Sequence, residues 1–442
     1  MSKKYDSYKD SGVEWIGEIP SHWELKPLKH LVFCNKDSLV ENTNPEIEIN
    51  YIEIGDVSSI DGIKATTAYP FEKAPSRARR IVKEGDVIIS TVRTYLKAIT
   101  SIKSKFDGYI ASTGFAVLTP KLISSGFLGQ LVLNEGFIGE IISLSKGVSY
   151  PSITASDLTN ITIPVPEPSE QTTIANYLDQ KTTQIDDLIA KKERLIQLLE
   201  EERTAIINQA VTKGIVPTVP MKDSGIEWLG EIPEHWEVTK VKTVTKKIGS
   251  GVTPKGGAEI YELSGIPLLR SQNIYFDGFR LENVAYITSE IHDSMKNSQV
   301  QSGDVLLNIT GGSIGRCYYV TDEFSEANVN QHVCIVRPND RIITEFLYYV
   351  LSSTIGQQQI DLCQTGGNRE ALNFEQLKNF FMCLPEIDEQ KSIVQQLNFK
   401  LNSINLAIEK FRKEIELIIE YKTALISEVV TGKVDVRQLV LN

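Results

Sequence analysis

Between Ser76 and Lys105 the sequence places Arg77, Arg79, Arg80, Lys83, Arg93, Lys97, Lys103 and Lys105 against only Glu84 and Asp86. Such a run suits phosphate and bases. A guanidinium forks onto two acceptors at once, including O6 and N7 of guanine, while an ammonium holds a phosphate as a point charge. A second set lies further on: Thr253 and Lys255 in GSGVTPKGG, Arg270, Gln272 and Asn273 in LLRSQN, Arg316, and Asn368 with Arg369 in TGGNRE. Gln and Asn match the donor–acceptor edge of adenine, yet Asn and Gly also serve ordinary turns. A nucleic-acid face and a solvated face rich in turns both stay open at this point. The whole chain of 442 residues carries a net charge of −11. That argues against a solitary polyanion binder, because phosphate affinity comes from Lys and Arg.

Other chemistry is missing. GGSIG (Gly311–Gly315) has the glycines of a nucleotide loop, but a strand-like segment, RCYYV, follows it. No helix N-terminus is there to hold phosphate, so a hairpin turn is expected. There is no Walker lysine motif, no H-E-x-x-H and no Asn/Asp-Pro-Pro-aromatic tetrad. His22 and His235 sit beside Trp23 and Trp236 and read as structural histidines. Catalytic residues and metal ligands are therefore not expected. The five cysteines (Cys34, Cys317, Cys334, Cys363, Cys383) show no C-x-x-C spacing and read as free thiols of a reducing cytoplasm. The apolar runs are too short to cross a bilayer and the N-terminus lacks an apolar signal core, so the expected location is cytoplasmic, with no membrane partner.

The elements that must position these residues come in duplicate. DSGVEWIGEIPSHWE (Asp10–Glu24) returns as DSGIEWLGEIPEHWE (Asp223–Glu237), and SEQTTIANYLDQ (Ser169–Gln180) aligns with DEQKSIVQQLNF (Asp388–Phe399). Each copy ends alike, in VTKG and VTGK. EGDVIIS (Glu84–Ser90) matches SGDVLLN (Ser302–Asn308), each a Gly-Asp turn opening a buried strand. The chain thus reads as a tandem repeat of Trp motif, strand-rich block and long helix. The blocks run from about Glu24 to Pro166 and from about Glu237 to Pro385. A common skeleton with divergent loops is what two binding modules for different targets require.

The helices carry apolar stripes spaced by four and three: Ile185, Ile189, Ile196, Leu199 and Ile206 in the first, and Ile404, Ile408, Phe411, Ile415, Ile418 and Leu425 in the second. Arg203 and Lys422 fill one equivalent slot of each stripe, either snorkelling with buried stems or setting register. The spacing predicts long helices packed on long helices, each about 40 residues and roughly 60 Å. The expected fold class is α/β (α+β): two pseudo-symmetric strand-rich blocks with peripheral helices, separated by two long antiparallel coiled-coil-like helices. Boundaries fall at 1–166, 167–214, 215–385 and 386–442.

The order of these motifs resembles the specificity subunit of type I restriction-modification systems. SRARRIVKEGDVIISTVRTYLKAI with ASTGFAVLTP is similar to one class of its target-recognition domains, and IGSGVTPKGG with GIPLLRSQNI to another. The resemblance covers nearly the whole chain. It implies a non-catalytic subunit whose two domains read the halves of a split site in double-stranded DNA. It implies that the helices set the spacer and dock two methyltransferase subunits, which hold S-adenosylmethionine, so that no cofactor resides in this chain. Motor-nuclease restriction subunits are further implied partners. The first block departs from the pattern, with CNKDSLVEN where the second has GSGVTPKGG. Two alternatives stay open: a coiled-coil adaptor whose blocks bind proteins, and a specificity module of a methylation-only or phage-defence system without nuclease.

Overall fold

The computed structural model describes residues 4–322, 326–364 and 371–438. Two long helices, Pro168–Lys213 and Ile387–Val430, run through it. Each ends at a glycine in the left-handed region, Gly214 (φ 76°) and Gly432 (φ 75°), where a side chain would clash with the backbone of a closing helix. The chain folds into two units, residues 1–193 with 412–442, and residues 194–411. Each unit takes half of each long helix. The boundaries drawn from sequence set the helices apart as segments of their own; in the structure they are structural members of both units.

In the first unit Lys192 Nζ lies 2.5 Å from Glu414 Oε2, and Lys422 Nζ lies 2.6 Å from Asp186 Oδ1. One number rises as the other falls, so the helices pair antiparallel there. Lys422 is therefore an ion-paired position with a largely buried stem. The apolar stripes face inward: Ile185, Ile404, Ile408 and Leu425 are buried, and Ile189, Ile196, Leu199, Ile206, Phe411, Ile415 and Ile418 are half-buried. In the second unit Ile207, Ala210 and Val211 share a core with Ile393, Val394, Leu397 and Leu401.

The Trp motif locks each helix pair. Trp23 and Trp236 are fully buried. His22 Nε2 meets Glu170 Oε2 at 2.9 Å, and His235 Nε2 meets Glu389 Oε2 at 2.9 Å. Both glutamates stand in first helical turns, where the helix dipole favours a carboxylate. A Cβ on Gly432 or Gly214 would come within 3.2 Å of the ring of Trp23 or Trp236. Each tryptophan thus fills the place where one long helix starts and the other ends. The recurring glutamines act alike: Gln171 accepts from Ser124 N and donates to Pro166 O, while Gln390 accepts from Ile343 N and donates to Pro385 O.

The two blocks share one sheet order. In the first unit it is Ile99–Ser101, Val87–Ser90, Phe115–Pro120, Val32–Cys34; in the second it is Cys317–Tyr319, Val305–Asn308, Val333–Pro338, Thr245–Ser250. A second sheet contains the parallel pair Glu48–Ile52 with Ile110–Ser112, or Ile266–Leu269 with Asn328–Val329. The first unit adds the strand Ala78–Ile81 to it. The five cysteines are free, and burial pushes the Cys334 and Cys383 thiols up to about 12. Among the described residues no single helix is long and apolar enough to cross a membrane.

Candidate nucleic-acid interface

Strand direction decides which basic residues meet. In the first unit Thr113 N donates to Arg77 O at 2.7 Å, and Thr91 N donates to Gly114 O at 2.8 Å. Arg77 and the turn after Val87–Ser90 therefore flank the same two residues, Thr113 and Gly114, at one end of the sheets. Arg93 stands in that turn; both arginines are exposed. The backbone of Arg93 (φ 49°) and of Lys97 (φ 51°) lies in the left-handed region, which side-chain-bearing residues rarely enter. Lys97 also stands there, with Nζ 2.7 Å from Glu135 Oε2. The loop after Leu144 closes over the turn: Arg93 N donates to Pro151 O at 2.7 Å and Ile153 N to Thr91 O at 2.9 Å.

The remaining basic residues go elsewhere. Lys103, a candidate DNA contact from sequence, does not join Arg93. Gly85 N bonds Ile102 O and Gly108 N bonds Val82 O, so Lys83, Lys103 and Lys105 gather at the opposite end of Val87–Ser90, about 13 Å away by strand rise. Arg79 and Arg80 are adjacent on a strand, so they point to opposite faces. Arg79 stacks on Phe71, 4.8 Å from the ring centroid, and bonds Ala78 O. Arg80 donates to Ser38 Oγ at 3.1 Å. The stretch CNKDSLVEN runs along this strand, with Leu39 N on Arg79 O and Ile81 N on Asp37 O. It covers an edge here, where the other block carries GSGVTPKGG.

In the second unit four separate segments converge. Ser250 ends a strand paired with Cys334, Asn330 N donates to Leu269 O, and Ile309 N donates to His332 O. Thr253, Arg270–Gln272, Asn330–His332 and Thr310–Arg316 thus share one loop end. Side chains stitch it together. Thr253 Oγ1 donates to Gln331 Oε1, Gln331 Nε2 donates to His332 Nε2 at 2.9 Å, and Nδ1–H of His332 then donates to Thr310 Oγ1 at 2.7 Å. Lys255 and Gln272 are exposed. Arg316 lies 4.7 Å from the ring centroid of Tyr275, with Arg280 at 4.9 Å from the same ring. Arg270 donates to Asn283 O at 3.1 Å.

Asn273 is a correction. It is buried, its Oδ1 accepts from Arg270 N, and its Nδ2 donates to Arg280 O at 2.8 Å. Its amide is spent inside the turn and presents nothing to a base. Asn368 and Arg369 lie outside the described residues. Gln331, His332, Thr310, Tyr275 and Arg280 were not singled out from sequence; the signal was the QH pair at the start of a strand that aligns with TGFAVLTP. GGSIG is a hairpin turn, as expected, joining Val305–Asn308 to Cys317–Tyr319.

Buried acids stand at the opposite ends of the strands that lead to the two loop ends. Asp304, fully buried, accepts from Gln301 N and takes a bidentate pair from Arg337 at 2.7 and 2.9 Å. Its counterpart Asp86 accepts from Lys83 N. Burial raises the Asp86 carboxyl above its usual range, against the Lys83 N–H and Thr119 hydroxyl that lower it.

Two sheet-built blocks of one topology, each with a polar, arginine-bearing loop end and each mounted on paired helix halves, define a tandem recognition protein. A model of the type I restriction modification DNA specificity domain matches residues 20–199 and 233–417, and the chain belongs to that family. The specificity subunit of the type I restriction enzyme MjaVIII from Methanocaldococcus jannaschii is 30% identical over 315 residues, 70% of each chain. A solved chain described for complex assembly and conformational transition of the type I R-M system shares the fold at a TM-score of 0.73, with 20% identity over 93% of this chain and 98% of its own. The HsdS subunit from Thermoanaerobacter tengcongensis gives 0.52, at 21% identity over 94% and 98%. The chain is a type I restriction-modification specificity subunit with DNA-recognition domains, and the enzymatic activity belongs to partner subunits.

Proposed function

We propose that each unit reads one half of a bipartite site in double-stranded DNA through its loop end. The long helices set the spacer and dock two methyltransferase subunits. Those subunits hold S-adenosylmethionine, this chain holds no cofactor, and motor-nuclease subunits join for restriction. The observation that carries the reading is the pair of loop ends: one sheet order presents Arg77 and Arg93 in one unit, and Thr253, Arg270, Gln272 and Arg316 in the other. The same scaffold with different polar side chains is what two readers of different half-sites need.

The stripe residues Ile185 through Leu425 are turned inward and hold the helices together, so docking falls to the outer faces. Leu198 and Leu417 occupy equivalent positions there and are 43% and 51% exposed.

The test is the complex reconstituted with its methyltransferase subunits. Arg93→Ala should cost about 1–3 kcal/mol at the native site and relax one base position if Arg93 reads a base. A phosphate contact would instead weaken all sequences alike and reduce the salt slope by about one. Lys103→Ala, at the far end, should leave the methylated motif unchanged. Native methylation by Arg77→Ala, Arg93→Ala and Arg316→Ala alike would overturn the assignment of the loop ends.

A further inference from the structure

We propose that the loop Lys146–Pro151 and the turn Arg93–Lys97 form one DNA-reading tip. In it Tyr150 holds the Arg93 guanidinium for a base edge, and Val148 meets apolar surface in the groove. The inference rests on the specificity reading above and adds two residues of the first unit to it.

Exposed apolar side chains point to this place. Val148 is fully exposed, at 101%, and Tyr150 is 65% exposed; Tyr95 and Leu96 on the adjoining turn are about half exposed. Single exposed hydrophobics are ordinary, but a group of them on adjoining loops marks a surface that meets something.

The tip is also held in shape. Lys146 and Ser152 exchange backbone hydrogen bonds at 2.8 and 2.9 Å, and Arg93 N is fixed on Pro151 O. The strained backbone at Arg93 and Lys97 brackets the single turn Thr94–Leu96. Strain of this kind persists where surrounding structure imposes it, and it collects at ligand-contacting sites.

The chemistry of the group selects the ligand. The Arg93 guanidinium carbon lies 4.7 Å from the centroid of the Tyr150 ring. A guanidinium held over a ring keeps N–H groups for a two-pronged bond to guanine O6 and N7. A phosphate would need only the charge. An exposed valine two residues before Tyr150 fits a base edge better, because the thymine methyl is the apolar feature of the major groove. Arg77 and Lys146, both exposed near the tip, suit the flanking phosphates. In the second unit Thr310 bridges Ala371, at positions equivalent to the bridged Val92 and Ser152 of the first.

The experiment uses the full chain assembled with its methyltransferase subunits, carrying Tyr150→Phe, Tyr150→Ala or Val148→Ser. Methylation rates are read on the native site and on sites with one base changed in either half. Tyr150→Phe should keep the native preference, since the ring remains. Tyr150→Ala and Val148→Ser should each lose roughly five- to a hundredfold of discrimination, at one or two bases of a single half-site. Neither side chain is charged, so the salt slope should stay at the wild-type value. Native discrimination by either Tyr150→Ala or Val148→Ser overturns the proposal. So does loss of a methyltransferase subunit from either variant in native mass spectrometry, which would make the tip a protein contact. A wild-type complex with no sequence preference would instead overturn the specificity reading itself.

Discussion

Asp86 and Asp304 open the same buried strand in the two units, yet they are supported differently, and this separates their behaviour. Asp304 faces Arg337 in a bidentate pair; Asp86 has Thr119 at the equivalent position. Removing one partner of a buried pair strands the other charge, so Asp304→Asn should cost about 3 kcal/mol in urea unfolding, the low end of the usual range because Arg337 is partly exposed. Asp86 should respond to pH through its burial. Its folded pKa is raised by burial, so its contribution is present below the unfolded pKa and is lost as pH rises through the folded one. Asn does not ionise. The stability of Asp86→Asn relative to wild type should therefore improve between pH 3 and pH 7. A variant that is relatively worse at pH 7 would show that the hydrogen bonds to the carboxylate outweigh its burial.

The long helices show how one element can serve two surfaces. The inward stripe is closed by ion pairs in the first unit, Lys192 with Glu414 and Lys422 with Asp186. At the corresponding positions the other copy has Phe411, Leu195, Arg203 and Asn405, so these ion pairs are not repeated. Ile408 is 6% exposed, and Ile408→Ala should cost roughly 2–4 kcal/mol by the cavity it leaves. The outward positions should behave otherwise. Leu198→Asp and Leu417→Asp change exposed sites and should alter stability by less than about 0.5 kcal/mol. Under the docking proposal each should remove one methyltransferase subunit from the complex, and the double variant should hold none. Native mass spectrometry counts the subunits; two still bound to the double variant would place docking on another face.

At the scale of the whole chain, each block is entered and left at one place. Glu24–Pro27 pairs antiparallel with Thr162–Val165, and Glu237–Lys240 pairs with Phe381–Leu384. A block whose two ends lie side by side can be exchanged without disturbing the helices and Trp motifs that hold it. Replacing Glu24–Pro166 by the equivalent block of another such subunit should change one half of the recognised sequence only. The other half should stay, as should the spacer. Long-read sequencing of methylated DNA reads all three. A swap that altered both halves would contradict independent readers.

The sequence by itself determined what is local or repeated. The Trp motif, the EQ helix starts and the four-three apolar spacing survive as signals because each depends on residues a few positions apart, and the duplication states each one twice. His22 and His235 were legible as structural residues for the same reason. Only the tertiary structure decided which polar residues share a surface. Lys103 and Arg93 are close in sequence, but the strand Ile99–Ser101 between them, antiparallel to Val87–Ser90, puts them at opposite ends of the sheet. Arg79 and Arg80 are neighbours that the pleat turns to opposite faces. Asn273 had the right chemistry for a base and was drawn into its own turn. Thr253, Gln331, His332 and Thr310, scattered over the chain, met because a parallel strand pair and a hairpin end on the same side. Hydrogen-bonded strand register fixes such neighbourhoods, and register is a property of partners distant in sequence.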